Sequence, residues 1–168
     1  MTNERIRLLV VEDDESRVEV FRSWTKRFPL PVAITWTRSA GAAIGVLRRD
    51  RGRVFDGLLI DHDLNTQCLT EVDAYLTGKD VVDAVVEFVD KGVPVLVHSG
   101  NTMEGPKLVA RLLGAGFSVE YAPFTTMRYL QLQQWLRYVV EASDAVTKYE
   151  RWKLERRQSG RQANRNQN

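Results

Sequence analysis

The chain predicts an α/β fold, a doubly wound parallel sheet of five strands with helices on both faces. Three observations predict it. Short apolar runs alternate with longer segments of helical periodicity, the pattern of βαβ units. The strand runs are almost continuously apolar, as strands buried on both faces of a parallel sheet must be. Right-handed crossovers then leave a doubly wound sheet as the simplest arrangement. With 168 residues, 43% hydrophobic and 27% charged, the chain has the composition of a globular protein and length enough for one core.

Each element has its own signal. Residues 7–11 (RLLVV) form an apolar strand run that ends in Glu12, Asp13 and Asp14. Val18, Val20, Phe21 and Trp24 recur at near-helical spacing over 16–28, and Pro29 and Pro31 end that helix. Residues 32–37 (VAITWT) are β-branched and alternating, a second strand. Ser39 caps a helix carrying Ala43, Ile44 and Leu47. Residues 57–60 (GLLI) make the third strand, which ends at Asp61. The polar connection 62–76 is long for such a unit, so it is either a lid over a site or a static loop. Thr77 caps a helix running to Lys91 with a stripe of Val81, Val82, Val85, Val86 and Val89, and Gly92 stops it. Residues 94–97 (PVLV) are a fourth strand, ending at His98 and Ser99; Gly105 and Pro106 open the next helix. Residues 118–121 are the fifth strand, and a last helix runs from Thr125 through Leu132, Trp135, Leu136 and Val139 towards Trp152.

This divides the chain into an α/β domain at 1–142, a basic helical extension at 143–158 and a flexible tail at 159–168. The net charge of +2 is unevenly spread: residues 148–168 carry seven basic and two acidic side chains, leaving −3 on the rest. The extension sets Val146, Tyr149 and Trp152 on one stripe among basic residues, so it either packs back on its own domain or a second copy, or binds a protein or nucleic acid. No apolar run approaches the ~20 residues of a membrane helix, and acids directly after the first apolar run exclude a secretory signal. The single cysteine, Cys68, excludes a disulfide framework and suits a reducing, cytoplasmic setting.

Chemistry collects at the carboxyl ends of the strands, where open α/β sheets bind ligands. Glu12, Asp13 and Asp14 end the first strand, Asp61, His62 and Asp63 follow the third, and His98, Ser99, Gly100 and Asn101 follow the fourth. Converging carboxylates repel and are costly to desolvate, so the cluster asks for a cation. Its oxygen-rich character suits Mg²⁺, with His62 or His98 tilting the preference towards Mn²⁺ or another transition metal. Each residue also has a plain structural role open to it: Asp14 as a helix cap, Asp61 and Asp63 as turn residues, Ser99 and Asn101 as partners of loop backbone.

An acidic pair after strand one (Asp13, Asp14), an Asp closing strand three (Asp61) and a Ser closing strand four (Ser99) resemble the receiver domains of two-component response regulators, over about residues 5–140. The resemblance implies the flavodoxin-like strand order 2-1-3-4-5. It also implies that Asp13 and Asp14 hold Mg²⁺, that Asp61 accepts a phosphoryl group, that the Asp63 carbonyl completes the metal shell, and that Ser99 meets the phosphoryl group. One departure is plain: the family's lysine before a proline at the end of strand five is here Ala122, before Pro123. Arg17, Lys79 and Lys107 are the candidates to replace its charge.

The segments EDDESR (12–17), LIDHDLN (59–65), TGKDVV (77–82) and HSGN (98–101) are also similar to the atypical cyclic-phosphate-processing receiver-like group. That resemblance implies a site of Asp13, Arg17, Asp61, His62, Asp63, His98, Ser99 and Asn101, with Asp80 either part of it or a helix start. Asp61 or a metal-bound water is then the nucleophile, His98 or His62 the acid or base, and Asn101, Ser99 and Arg17 donors to phosphoryl oxygens. The function expected is a metal-dependent domain that handles a phosphoryl group, hydrolysing cyclic or terminal phosphates. The alternatives are a stand-alone receiver phosphorylated on Asp61 and a non-catalytic interaction module. The partners expected are a phosphate-bearing small molecule or phosphodonor, a protein or nucleic acid through the terminal helix, and a second copy of the chain; a membrane is not among them.

Overall fold

The computed structural model describes residues 5–50, 54–66 and 70–143. The sheet has five parallel strands: β1 (Ile6–Val11), β2 (Val32–Thr37), β3 (Gly57–Ile60), β4 (Val95–Val97) and β5 (Val119–Tyr121), in the order β2-β1-β3-β4-β5. The helices are α1 (Glu15–Thr25), α2 (Ala40–Asp50), α3 (Gly78–Phe88), α4 (Gly105–Gly114) and α5 (Tyr129–Ala142). This is the expected doubly wound architecture.

Period-two alternation along the strands divides the core. Leu9, Val11, Leu58, Ile60 and Val97 face α2, α3 and α4, where they meet Leu47, Val81, Val85, Leu108 and Leu112. Leu8, Val10, Leu59 and Leu96 face α1 and α5, where they meet Val18, Phe21, Leu132, Trp135 and Leu136. β1 and β3 are buried on both faces, which explains their unbroken apolar runs.

Several helix ends fall short of the sequence expectation. α1 stops at Thr25, whose hydroxyl donates to the Arg22 carbonyl. α3 stops at Phe88 because Val89 turns extended, and Gly92 serves instead a tight turn in which its N–H donates to Asp90. α5 begins at Tyr129 rather than Thr125: Thr126 and Met127 donate their N–H groups to the Pro123 carbonyl in a separate turn. The continuous helix expected through Trp152 is interrupted, since Ser143 has extended backbone beyond Ala142. The basic stripe at 146–152 and the tail at 159–168 lie outside the described residues. Among the described residues no helix is long and apolar enough to cross a membrane.

The long 62–76 connection is pinned on both sides of residues 67–69. Leu64 is fully buried in the core beneath α2 and α3. Asp73, in a 3-10 turn over Asp73–Tyr75, accepts the Gly41 N–H at 2.7 Å and so caps α2 together with Ser39, which accepts from Ala42. These contacts fix the described parts of the connection, Leu64 to the core and Asp73 to the start of α2.

Candidate functional site

The carboxyl ends of β1, β3 and β4 open into a cleft of about 810 Å³ lined by Asp13, Asp14, Glu15, Arg17, Asp61, Asp63, Thr66, Gly100, Asn101 and Thr125. Asp61 sits at its floor, 2% exposed. One carboxylate oxygen of Asp61 accepts the His62 N–H at 2.6 Å, and the other accepts from Arg17 Nη1 at 3.1 Å. Burial raises the Asp61 pKa from its ordinary value, while a hydrogen bond with Ser99, the His62 N–H and the Arg17 charge pull it back.

Arg17 is the cation of the site. It reaches from the first turn of α1, 3.1 Å from Asp61, 3.5 Å from Glu12 and 3.7 Å from Asp14, with its guanidinium 5.3 Å above the centre of the Phe124 ring. Of the other candidates, Lys107 is engaged by Glu104 at 2.6 Å and Lys79 is exposed. Ala122 is buried among the apolar residues facing α1 and α5.

The remaining residues divide by their surroundings. Asp13 accepts both the N–H (2.9 Å) and the hydroxyl (2.6 Å) of Thr66, tying the long loop to the end of β1. Asp14 lines the cleft but acts as the N-cap of α1, accepting from the Ser16 N–H and hydroxyl, with 46% of its side chain exposed. Asp63 meets His62 Nδ1 at 2.8 Å and lies near the Asn101 amide at 3.4 Å. Asn101 also accepts from the backbone N–H groups of Met103 and Glu104, holding the turn before α4. Ser99 is fully buried and accepts the Asn101 N–H at 3.2 Å. Asp80 completes the capping box of α3 with Thr77, which is its helix-start role.

His98 is placed differently from the expectation of an acid or base touching substrate. It has no exposed surface and packs edge-on against Phe21 with ring centroids 5.1 Å apart. Burial lowers its pKa from 6.5 to about 3, helped by the nearby Arg17 charge. In this arrangement the imidazole is neutral and lies behind the cleft lining, out of contact with a ligand in the cleft.

Sequence reasoning set Glu12 among the acids of the strand end but left it out of the site. It is fully buried, with Oε1 accepting the Asp14 N–H at 3.0 Å and Oε2 lying 3.5 Å from His98 Nδ1. Burial raises its pKa from 4.5 to about 8, with the Asp61 charge adding to the rise and the Asp14 N–H and Arg17 opposing it. Alternation was the available signal: Leu8 and Val10 face α1 and α5, so Glu12 faces them too, as do Asp61 after Leu59 and His98 after Leu96.

A pH dependence of stability follows from these two groups. The folded state holds the Glu12 proton up to about pH 8, so that contribution is complete below pH 4.5 and is lost as pH rises through about 8. His98 acts with opposite sign: its contribution is complete above pH 6.5 and is lost as pH falls through about 3. From pH 6.5 to 8 the Glu12 slope is unopposed by His98. Thermal unfolding in metal-free buffer is expected to give a Tm roughly 5 °C lower at pH 8 than at pH 6.5, and Glu12→Gln to remove most of that difference. A decline that persists in Glu12→Gln assigns it to another group.

No family model matches the chain, and no curated protein does. Solved structures do. The HemR receiver domain from Leptospira biflexa superposes with a TM-score of 0.59 at 20% identity, covering 80% of this chain and 94% of that one. A CheY-like receiver domain from Methylobacillus flagellatus gives 0.56 at 18%, covering 80% and 98%. The receiver domain of a sensor histidine kinase from Pseudomonas aeruginosa, solved with magnesium coordinated in its active-site cleft, gives 0.56 at 19%, covering 80% and 97%. The narrower cyclic-phosphate group is not among these neighbours. The chain has the flavodoxin-like fold of response-regulator receiver domains, with a buried acidic cluster at the carboxyl edge of its sheet.

Proposed function

We propose that this chain is a receiver-type domain in which Asp61 accepts a phosphoryl group with the help of a divalent cation. The observation that carries the reading is Asp61 itself, buried at the floor of the cleft with one carboxylate oxygen on Arg17 at 3.1 Å. Arg17 supplies from α1 the positive charge for which Ala122 has no group, so the missing lysine does not leave the acceptor without a cation.

Magnesium suits the donor set. The cleft is lined by five carboxylates (Asp13, Asp14, Glu15, Asp61 and Asp63) against the single guanidinium of Arg17, so Arg17 cancels only part of the charge. Asp13, Asp61 and Asp63 would hold the ion, all hard oxygen donors. Bound there, it would neutralise phosphoryl oxygens as charge develops on them. The Asp61 carboxylate attacks phosphorus in line, an acyl phosphate forms, and the leaving group departs with the bonding electron pair. Arg17 and the Asn101 amide are the donors for the phosphoryl oxygens.

Hydrolysis of a cyclic phosphodiester is less well supported. It needs an acid for the leaving hydroxyl, and His98 is sealed in the core. His62 is the remaining imidazole, and it is held against Asp63 with 12% of its side chain exposed.

The test uses the full chain with a small acyl phosphate as donor and Mg²⁺. A hydroxylamine-labile phosphoryl adduct is expected by intact mass, mapping to the peptide that holds Asp61, and Mg²⁺ alone is expected to raise the Tm. No adduct at saturating donor, with or without Mg²⁺, rejects the reading.

A further inference from the structure

We propose that Glu12, Asp61 and His98 form an inner metal site that takes a transition-metal ion, Zn²⁺ or Mn²⁺, in preference to Mg²⁺. The proposal deepens the cation-dependent reading above and rests on it through Asp61, which the two sites share. The three side chains leave the ends of the adjacent strands β1, β3 and β4 on the same face, and each offers one ligand atom within 4.8 Å of the other two.

The second observation is independent of the acidic cluster. Glu12 Oε2 and both ring nitrogens of His98 are buried without a hydrogen-bond partner. Buried polar atoms are nearly always satisfied, and leaving one bare costs on the order of 1–3 kcal/mol. These orphans are neighbours, 3.5 Å apart from Glu12 Oε2 to His98 Nδ1. A proton between Glu12 and His98 would pair one oxygen with one ring nitrogen; a metal ion takes the same two atoms and draws the Asp61 carboxylate into the same bond set.

The position already attracts positive charge, since Arg17 Nη1 lies 3.5 Å from Glu12 Oε2 and 3.1 Å from Asp61. Arg17 is 31% exposed and lines the cleft, so it can swing outward and leave an entry path. Phe21 packs edge-on against His98 from behind. The nitrogen donor decides the selectivity. Mg²⁺ prefers oxygen and sheds water reluctantly, whereas imidazole with carboxylates suits the later divalent metals.

The whole chain contains only two histidines, His62 and His98, so its imidazole ¹⁵N spectrum has only two rings to assign. Adding Zn²⁺ to labelled wild-type protein is expected to shift a His98 ring nitrogen, while Mg²⁺ leaves His98 in place and reaches only His62, through Asp63. By calorimetry, His98→Gln is expected to lower Zn²⁺ affinity by about tenfold or more and change Mg²⁺ affinity by less than about twofold. The wild-type spectrum decides the matter even if that variant folds poorly. His98 unmoved by Zn²⁺, or His62 moving alone, overturns the inner site. If Mg²⁺ still raises the Tm in that case, the outer reading at Asp13, Asp61 and Asp63 stands alone; if neither ion binds, both fall.

Discussion

Asp61→Asn is expected to abolish the phosphoryl adduct completely while leaving the protein at least as stable as wild type above pH 7. The two halves of this result have separate causes. The amide is nearly isosteric and its single oxygen still accepts the His62 N–H, while its NH2 stands where the second carboxylate oxygen accepted from Arg17, so that one hydrogen bond is given up. An amide is no nucleophile towards phosphorus, so the acceptor chemistry vanishes rather than declines. Stability moves the other way because burial raises the Asp61 pKa, which means that the ionised carboxylate is held at a cost. That cost is greatest above the folded pKa, where an uncharged side chain removes it. Arg17 is not orphaned by the change, since it keeps Glu12 and Asp14 and part of its surface in water. Intact mass after donor treatment and a Tm series across pH measure both halves. A persisting adduct would place the acceptor elsewhere. A Tm at pH 8 below wild type by more than about 4 °C would mean that the Arg17 pairing outweighs desolvation.

The architecture was legible because it depends on repeating local signals. β2 and β3 match their expected bounds, and β1, β4 and β5 begin within one residue of theirs. The candidate site was legible to the level of strand ends and no further. The tips of β1, β3 and β4 do meet at one edge, but the facing of each side chain and its access to solvent depend on what packs behind it. His98 reads as a polar strand-end residue, and only Phe21, 77 positions earlier, shows it to be enclosed. Arg17 stands in the sequence as one of three candidate cations, and what selects it over Lys79 and Lys107 appears only when α1 is laid against β3. Helix ends were misjudged for a related reason. Apolar periodicity continues through Val89, whose N–H still bonds to the Val85 carbonyl, but its backbone turns extended there and ends the helix.

Gly78→Ala is expected to be among the most damaging single-methyl changes the domain can receive. A Cβ built there lies 2.3 Å from the Asp61 carbonyl oxygen and 2.5 Å from His62 Cα, both backbone atoms with no rotamer to yield. The Gly78 N–H also donates to the His62 carbonyl at 2.9 Å, so α3 begins directly against the chain leaving β3. The glycine after the capping Thr77 therefore sets the height at which Asp61 stands in the cleft. Accommodating a methyl group means moving α3 or the Asp61–His62 backbone by several tenths of an ångström. Overpacking of this kind costs about 3 kcal/mol, which lowers the Tm of a chain this size by about 6–12 °C. The displaced Asp61 is expected to accept a phosphoryl group roughly tenfold more slowly or worse, because in-line attack tolerates little misplacement. Gly45→Ala supplies the opposite sign within the same fold: it lies on the exposed side of α2 with nothing within 4 Å of its added Cβ. There the methyl group raises helix propensity and is expected to stabilise by about 0.5–1 kcal/mol. A Gly78→Ala protein that melts within about 2 °C of wild type and is phosphorylated at the wild-type rate would show that the contact between α3 and Asp61 does not set the site.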